Sequence, residues 1–179
     1  MPRKLSDFVN PLRQKRIWKL RAALAFISQK LILQNHFAFS GVRVLSLRLQ
    51  GAKIGSRVSL ARSISVNFPW NLEIGDDCWI GEEVLLINHE KITIGSNVCI
   101  SQRAIVCSGS HDFRSASLEF AHKPVVIKDG AWVCLDAKVL PGVTIGECSV
   151  VSAGEIVRKS LPDYSMLVGG QVRQIEPPK

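Results

Sequence analysis

The stretch that decides the fold is IGDDCWIGEEVLL, residues 74–86, in which aliphatic residues stand six positions apart at Ile74, Ile80 and Leu86. A small residue, Gly75 or Gly81, directly follows the first two. A period of six fits neither an α-helix nor an amphipathic strand, whose apolar residues recur at shorter intervals. It fits a solenoid whose flat faces each take six residues, so that three faces complete one coil.

The same period runs through most of the chain. The aliphatic positions, in groups of three, are Ile54, Leu60, Val66; Ile74, Ile80, Leu86; Ile94, Ile100, Val106; Ile127, Val133, Val139; and Ile145, Val151, Val157. Each group is one coil, and we expect the coils to stack at the ordinary strand separation of about 4.8 Å. The sequence therefore predicts an all-β fold, a parallel β-helix of about five coils over residues 51–160, with a C-terminal tail over 161–179.

The period is interrupted once, between Val106 and Ile127, where 15 extra residues are inserted. Long loops in compact domains are usually functional. The inserted stretch contains His111, flanked by Ser110 and Asp112, and a second histidine near its end. We predict that residues 107–126 form a protruding loop that carries the chemistry.

Several stretches resemble the hexapeptide-repeat acetyltransferases. They are Ser108-Gly-Ser-His111-Asp112, Lys123-Pro-Val-Val-Ile127 and Ala131-Trp-Val-Cys-Leu-Asp-Ala-Lys-Val-Leu-Pro-Gly-Val-Thr-Ile-Gly146. Phe68-Pro-Trp-Asn-Leu72 and Asn88-x-x-x-Ile-Thr-Ile-Gly95 resemble in particular the acetyltransferases assigned to colanic acid biosynthesis. The resemblance covers most of the chain. It implies a left-handed coil, acetyl-CoA as co-substrate, and a homotrimer with active sites between neighbouring subunits. It further implies O-acetylation of a sugar hydroxyl in exopolysaccharide assembly.

His111 suits this chemistry. Transfer of an acetyl group from a thioester to a hydroxyl needs a base that takes the hydroxyl proton and donors that stabilise the tetrahedral oxyanion. No nucleophile on the enzyme is needed if the acceptor attacks directly. His111 is therefore the candidate general base, and a loop carbonyl is the expected partner of its other ring nitrogen. His122 is interpreted as an ordinary loop residue.

The resemblance also assigns binding residues. Asn88 and His89 correspond to positions where related enzymes often carry polar residues that bind the acceptor. The residues carried over to coenzyme A binding are Cys134, Leu135, Ala153, Arg158, Lys159 and Arg173. No metal is predicted.

Three alternatives remain open. The acceptor could be serine, a simple sugar, an antibiotic or an amino sugar, and an amino sugar would give N-acetylation. The chain could instead be a non-catalytic scaffold. A zinc carbonic anhydrase on the same fold would need three histidines around the metal, and the close histidine pair expected for it is absent from residues 134–141.

Charged residues are distributed unequally along the chain. Residues 1–62 hold 13 basic residues and one acid, Asp7, whereas residues 63–179 hold 10 basic and 14 acidic residues. Ile17, Leu20, Leu24, Ile27 and Leu31 have helical 3-4 spacing, so residues 1–50 are predicted to form a basic amphipathic helical segment. Such a segment could cap the open end of the solenoid or lie on an anionic membrane. Nucleic acid is the least favoured partner, because no nucleic-acid motif accompanies the charge.

No secretory signal or transmembrane stretch is visible in the sequence. The five cysteines are far apart and form no C-x-x-C pair, which argues against a zinc ribbon or a redox pair. We therefore expect reduced thiols and a cytoplasmic protein, with contact to the inner face of a membrane if the helical segment binds lipid.

Overall fold

The chain is described by a computed structural model that covers Phe8 and residues 16–177, with side chains from residue 19 onward in the continuous part. It forms a parallel β-solenoid with three sheets. Sheet A contains β1 (Lys53–Ile54), β4 (Leu72–Ile74), β7 (Ile92–Ile94), β10 (Val125–Ile127) and β13 (Thr144–Ile145). Sheet B contains β2 (Ser59–Leu60), β5 (Trp79–Ile80), β8 (Cys99–Ile100), β11 (Trp132–Val133), β14 (Val150–Val151), β16 (Ser165–Val168) and β17 (Gln171–Gln174). Sheet C contains β3 (Ser65–Val66), β6 (Leu85–Ile87), β9 (Ile105–Cys107), β12 (Lys138–Val139) and β15 (Ile156–Val157).

The aliphatic positions six residues apart form the core, as predicted. In sheet A, Ile54 pairs with Ile74, Ile74 with Ile94, Ile94 with Ile127, and Ile127 with Ile145. The corresponding positions of sheets B and C pair in the same way from coil to coil. All fifteen side chains are buried. Stacking of like residues therefore builds one continuous core, and the parallel β-solenoid is confirmed. Its left-handed winding stays a prediction.

Where a glycine follows the inward aliphatic, the distance between coils requires it. A Cβ atom on Gly75 would lie 2.7 Å from the backbone carbon of Gly95 in the next coil. On Gly146 it would lie 2.3 Å from the backbone of Pro162. Both contacts are with backbone, which cannot move without separating the coils.

The solenoid continues past the predicted boundary at residue 160. β16 pairs in parallel with β14, and Leu167 pairs with Val151 and is buried. Leu161 is buried as well and donates its N–H to the carbonyl of Thr144. These contacts make an incomplete sixth coil, and β17 then returns antiparallel to β16. The segment 161–179, expected as a tail, thus adds to the solenoid as far as the structure describes it.

Two helices lie at the N-terminal end of the solenoid. They are α1 (Arg16–Ser28), which runs into a π-helical turn (Gln29–Leu33), and α2 (Ser40–Leu49). Leu33, Val44 and Leu47 are buried and belong to the solenoid core. Among the described residues, no helix is long and apolar enough to cross a membrane.

The helices bind the open backbone edge of the first coil. Arg48 donates to the carbonyl of Ile54 in β1 at 2.8 Å, and the Ser40 hydroxyl accepts from an amide of β2 at 2.8 Å. Gln29 donates to the carbonyl of Ile64 at 2.7 Å and accepts from the amide of Val66 in β3 at 2.9 Å. Backbone groups that would otherwise pair with a preceding coil thus find side-chain partners. This arrangement favours the interpretation of the segment as a cap.

Candidate functional site

The insertion between β9 and β10 folds back on itself as an arm, residues 108–124. Ala121 donates its N–H to the carbonyl of Ser110 at 2.9 Å, and Lys123 donates to that of Ser108 at 3.0 Å. His111 and Phe120 are bridged across the arm in antiparallel pairing. The base of the arm is fixed because Ser108 is fully buried and donates its hydroxyl to the carbonyl of Glu90 at 2.7 Å. The arm is therefore ordered by its own hydrogen bonds, and it holds His111 at a fixed place outside the coils.

The His111 ring has a defined tautomer. Its Nδ1 lies 2.5 Å from the carbonyl oxygen of Leu118. A carbonyl can only accept, so Nδ1 carries the proton of the neutral ring and Nε2 carries a lone pair. His111 is exposed, and a lone pair on an exposed imidazole can accept a proton from a bound hydroxyl group. The loop carbonyl expected from the sequence is therefore present.

Aromatic rings surround His111. Phe120 lies 5.1 Å from it, centroid to centroid, and Phe8 approaches edge-on at 5.8 Å. Phe8 also contacts Phe120 at 5.0 Å. Phe8 and Phe120 therefore form an apolar wall beside His111, and the sequence did not indicate the contribution of Phe8.

His122 of the arm and His89 form a histidine pair, with ring centroids 4.9 Å apart. The Nδ1 of His122 accepts the backbone N–H of Ser110 at 3.0 Å, so the neutral ring carries its proton on Nε2. That Nε2 and the Nδ1 of His89 are buried and have no hydrogen-bond partner among the described residues. Gly109 leaves room for the pair, because a Cβ there would lie 3.0 Å from the His89 ring.

Burial lowers the pKa of both histidines of this pair. For His89 the loss of water is the main cause, followed by the charges of His122 and His111. For His122 the loss of water again comes first, followed by the charge of His111. Both rings are therefore neutral near pH 7. His122 lies on the arm, as a loop residue should, and its contact with His89 depends on the pairing of the arm, which residue spacing does not reveal.

Asn88 does not face the site. It is fully buried, its side-chain oxygen accepts the amides of Asn67 and Phe68, and its amide group donates to the carbonyl of Phe68. A side chain with no exposed surface and these bonds to the chain cannot bind an acceptor in this structure. The predicted role of Asn88 is thus contradicted by its burial, whereas His89 stays a candidate.

The residues assigned to coenzyme A lie on three parts of the solenoid. Cys134, Leu135 and Ala153 share the corner between sheets B and C, where Gly154 donates to the carbonyl of Leu135 at 2.9 Å. Arg158 and Lys159 are exposed after β15, at the corner from which the arm leaves two coils earlier. Arg173 lies in β17 opposite Met166. One chain alone does not bring these residues into a single site.

The sulfur and metal chemistry of the described part is limited. Burial raises the pKa of the Cys107 and Cys134 thiols, so both are protonated near neutral pH. All five cysteines are free. Within Phe8 and residues 16–177, no group of three histidine, cysteine or acidic side chains is placed to hold a metal ion.

Comparison with known proteins gives relatives in sequence and in structure. The Escherichia coli (strain K12) protein named "Putative colanic acid biosynthesis acetyltransferase WcaF" is 44% identical over 120 residues, which are 67% of this chain and 66% of that protein. A hexapeptide-repeat acetyltransferase from Vibrio cholerae superposes with a TM-score of 0.77 at 26% identity, over 87% of this chain and 89% of that one. The same Vibrio cholerae protein, solved with acetyl coenzyme A, gives a TM-score of 0.79 at 24% identity, over 89% and 87% of the two chains. No family model matches the sequence.

The matched part spans just under two thirds of the length of the Escherichia coli relative. Together these comparisons confirm the resemblance read from the sequence, both in the repeat and in the colanic acid group.

Proposed function

We propose that this chain, which is related in sequence and fold to the hexapeptide-repeat acetyltransferases, transfers an acetyl group from acetyl-CoA to a hydroxyl group of a sugar. The observation that carries the proposal is the His111 ring. It stands exposed on a structured arm with its Nδ1 proton held by the Leu118 carbonyl, which leaves the lone pair on Nε2.

His111 serves as the general base and then as the general acid. Its Nε2 takes the proton of the acceptor hydroxyl while that oxygen forms a bond to the thioester carbonyl carbon. When the carbon–sulfur bond breaks, the same nitrogen returns the proton to the departing sulfur. The Leu118 carbonyl stabilises the imidazolium between these two events, since its partner nitrogen stays protonated throughout. The products are the acetyl ester and the free thiol, and the enzyme returns to its starting state.

Coenzyme A binding is proposed at the residues that the resemblance assigns. Arg158 and Lys159 are exposed cations near the arm's corner and suit the phosphates of the nucleotide end. Leu135 and Ala153 offer an exposed, uncharged corner to the pantetheine arm. Arg173 lies apart on β17 and would contribute at the nucleotide end. The Vibrio cholerae neighbour was solved with acetyl coenzyme A, which supports this choice of co-substrate.

The acceptor is proposed to be a saccharide of an exopolysaccharide. Phe8 and Phe120 form an aromatic wall beside His111, and such rings suit the apolar C–H faces of a sugar. His89, whose ring lies 6.4 Å from that of Phe120, is proposed as the acceptor-binding residue that the resemblance implies. The Escherichia coli relative is named for colanic acid biosynthesis, which supports a polysaccharide context.

A cytoplasmic homotrimer is proposed as the working form. Trp79 and Trp132 lie on the outer face of sheet B in register with Cys99, and both indoles are about half exposed, at 57% and 48%. A row of large apolar side chains on an outer face suits contact with neighbouring subunits. Such contact would also bring groups from a second chain to the separated coenzyme A residues.

The test is acetyl-CoA turnover against a panel of sugars and polysaccharide fragments, read by release of the coenzyme A thiol. His111→Ala should lower kcat by roughly 10²–10⁴-fold, the usual contribution of general base catalysis, while acetyl-CoA binding stays nearly unchanged. Asp112→Asn is the matched control. The Asp112 side chain lies next to His111 on the arm and accepts the backbone N–H of Arg114, which also belongs to the arm. An unchanged kcat in His111→Ala would remove this residue from the mechanism.

A further inference from the structure

The outer side of α1 and of the π-helical turn that follows it carries exposed apolar residues. Leu20, Leu24, Ile27 and Leu31 follow helical 4-3-4 spacing, and their exposed fractions are 64%, 54%, 51% and 65%. The helix buries Ala25 instead, and the following turn buries Leu33. The stripe that the sequence predicts on this helix is therefore real, but it faces away from the core.

The neighbouring helix and the connecting turn extend this apolar surface. Val42, Leu45 and Leu49 of α2 are exposed at helical spacing, and Phe37 and Phe39 between the helices are exposed at 91% and 82%. The two helices lie side by side, since the hydroxyls of Ser28 and Ser46 are 2.7 Å apart. Leu24 and Leu49 line the same shallow depression. We name this set of exposed apolar residues, from Leu20 to Leu49, the helical surface.

The helical surface is surrounded by positive charge. No aspartate or glutamate occurs between residues 8 and 72, while α1 and its turn carry Lys19, Arg21 and Lys30. All three are exposed. The acids of the second coil that face the N-terminal end are already paired, as in the contacts of Arg57 with Asp77 and of Arg62 with Glu82. Among the residues that the structure describes, Lys19, Arg21 and Lys30 form no ion pair with an acid.

We propose that the helical surface docks the protein on an anionic lipid bilayer. Leucine and phenylalanine side chains would enter the boundary between headgroups and acyl chains, and the lysines and arginine would lie among anionic headgroups. A second copy of the same surface is a poorer partner, since two acid-free basic faces repel each other. The opposite side of the helices is occupied by the bonds to the first coil, so docking requires no unfolding of the cap.

The test is co-flotation of the full chain with two kinds of vesicle, one of phosphatidylcholine alone and one of equal parts phosphatidylcholine and phosphatidylglycerol. Wild type should float with the mixed vesicles only, and about 1 M salt should release it, because screening then acts within a few ångströms. Replacing Lys19 and Lys30 together by Gln should lower the partition coefficient about 30-fold, since each basic residue near such a surface contributes about fivefold. Leu24→Ser with Leu31→Ser should lower it by about a hundredfold.

Val172→Ser is the matched control. Val172 is as exposed as Ile27, at 51%, but lies on β17 at the other end of the chain, so its loss should leave flotation unchanged. Light scattering and melting temperature check that each variant keeps its assembly and fold. Equal flotation with both vesicles, or none, would overturn the proposal. So would a change of oligomeric state in the leucine variant, which would assign the surface to contact between subunits. These readouts do not depend on acetyl transfer.

Discussion

Gln29 offers a direct test of the cap. Its side chain bonds to two backbone groups at the open edge of the first coil, donating to the Ile64 carbonyl at 2.7 Å and accepting from the Val66 amide at 2.9 Å. Gln29→Leu keeps a side chain of similar size and removes both bonds, together with a 3.2 Å bond to the Ser65 hydroxyl. Val66 then loses the partner of its N–H, because β3 is the edge strand of sheet C in the described part of the chain.

The size of the effect follows from these two groups. A buried donor or acceptor left without a partner costs about 1–3 kcal/mol. The bonds of Gln29 are half-buried, and water can replace part of them. We therefore expect the loss of the two bonds to lower the free energy of unfolding by about 2–4 kcal/mol. A change of 1 kcal/mol moves the melting temperature of a protein of this size by about 2–4 °C. The expected fall is therefore roughly 4–16 °C.

The assay is thermal unfolding at one fixed protein concentration, because assembly also shifts the melting temperature. Gln34→Leu is the control, since Gln34 follows the same turn but its side chain bonds to other side chains, donating to the Ser65 hydroxyl at 3.3 Å and accepting from Lys30 at 3.1 Å. It should lower the melting temperature by a few degrees at most. If Gln29→Leu and Gln34→Leu have the same melting temperature, the bonds to the first coil do not hold the helices, and the cap interpretation fails.

Two further predictions concern the histidines. The pKa of His89 and of His122 is lowered by burial, so below about pH 6.5 the unfolded chain binds protons that the folded chain does not, and stability should fall as pH falls. His89→Phe should make the melting temperature depend less on pH than in wild type between pH 7.5 and 5.5, which is about the range in which an ordinary histidine titrates. The same dependence on pH in both proteins would contradict this prediction. Chelator treatment should leave acetyl transfer intact, and stoichiometric zinc whose removal abolishes activity would restore the carbonic anhydrase alternative.

The repeat could be predicted from the sequence because each inward position has one requirement, an aliphatic side chain that stacks on its equivalent one coil away. Ile54 through Val157 satisfy it at regular spacing. Leu167 was missed since the last step, from Val151, is 16 residues, so the six-residue rule no longer holds there. The pairing of β16 with β14 is set by the turn after Leu161, which the period does not describe.

The site was predictable only in part. His111 stands out in the sequence because it begins the single long insertion. Asn88 was assigned to the acceptor from its place at a corner, but the same place lets it bond the backbone of the preceding coil. Phe8 is distant in sequence from the arm and contacts it only in the folded chain. Roles that depend on such contacts between segments leave no periodic signal.

The two interpretations of the N-terminal segment are not exclusive, because they use opposite sides of the same helices. Arg48, Ser40 and Gln29 face the first coil, while Leu24 and Leu31 face outward. Deleting residues 1–49 would remove the bonds and the apolar stripe together, so the loss of stability and the loss of membrane binding would coincide. Substitutions on one side at a time separate them. Gln29→Leu should lower the melting temperature and leave flotation of the remaining folded protein unchanged. Leu24→Ser with Leu31→Ser should do the reverse, since exposed leucines contribute little to folding. A segment that only caps would show no response of flotation in either variant.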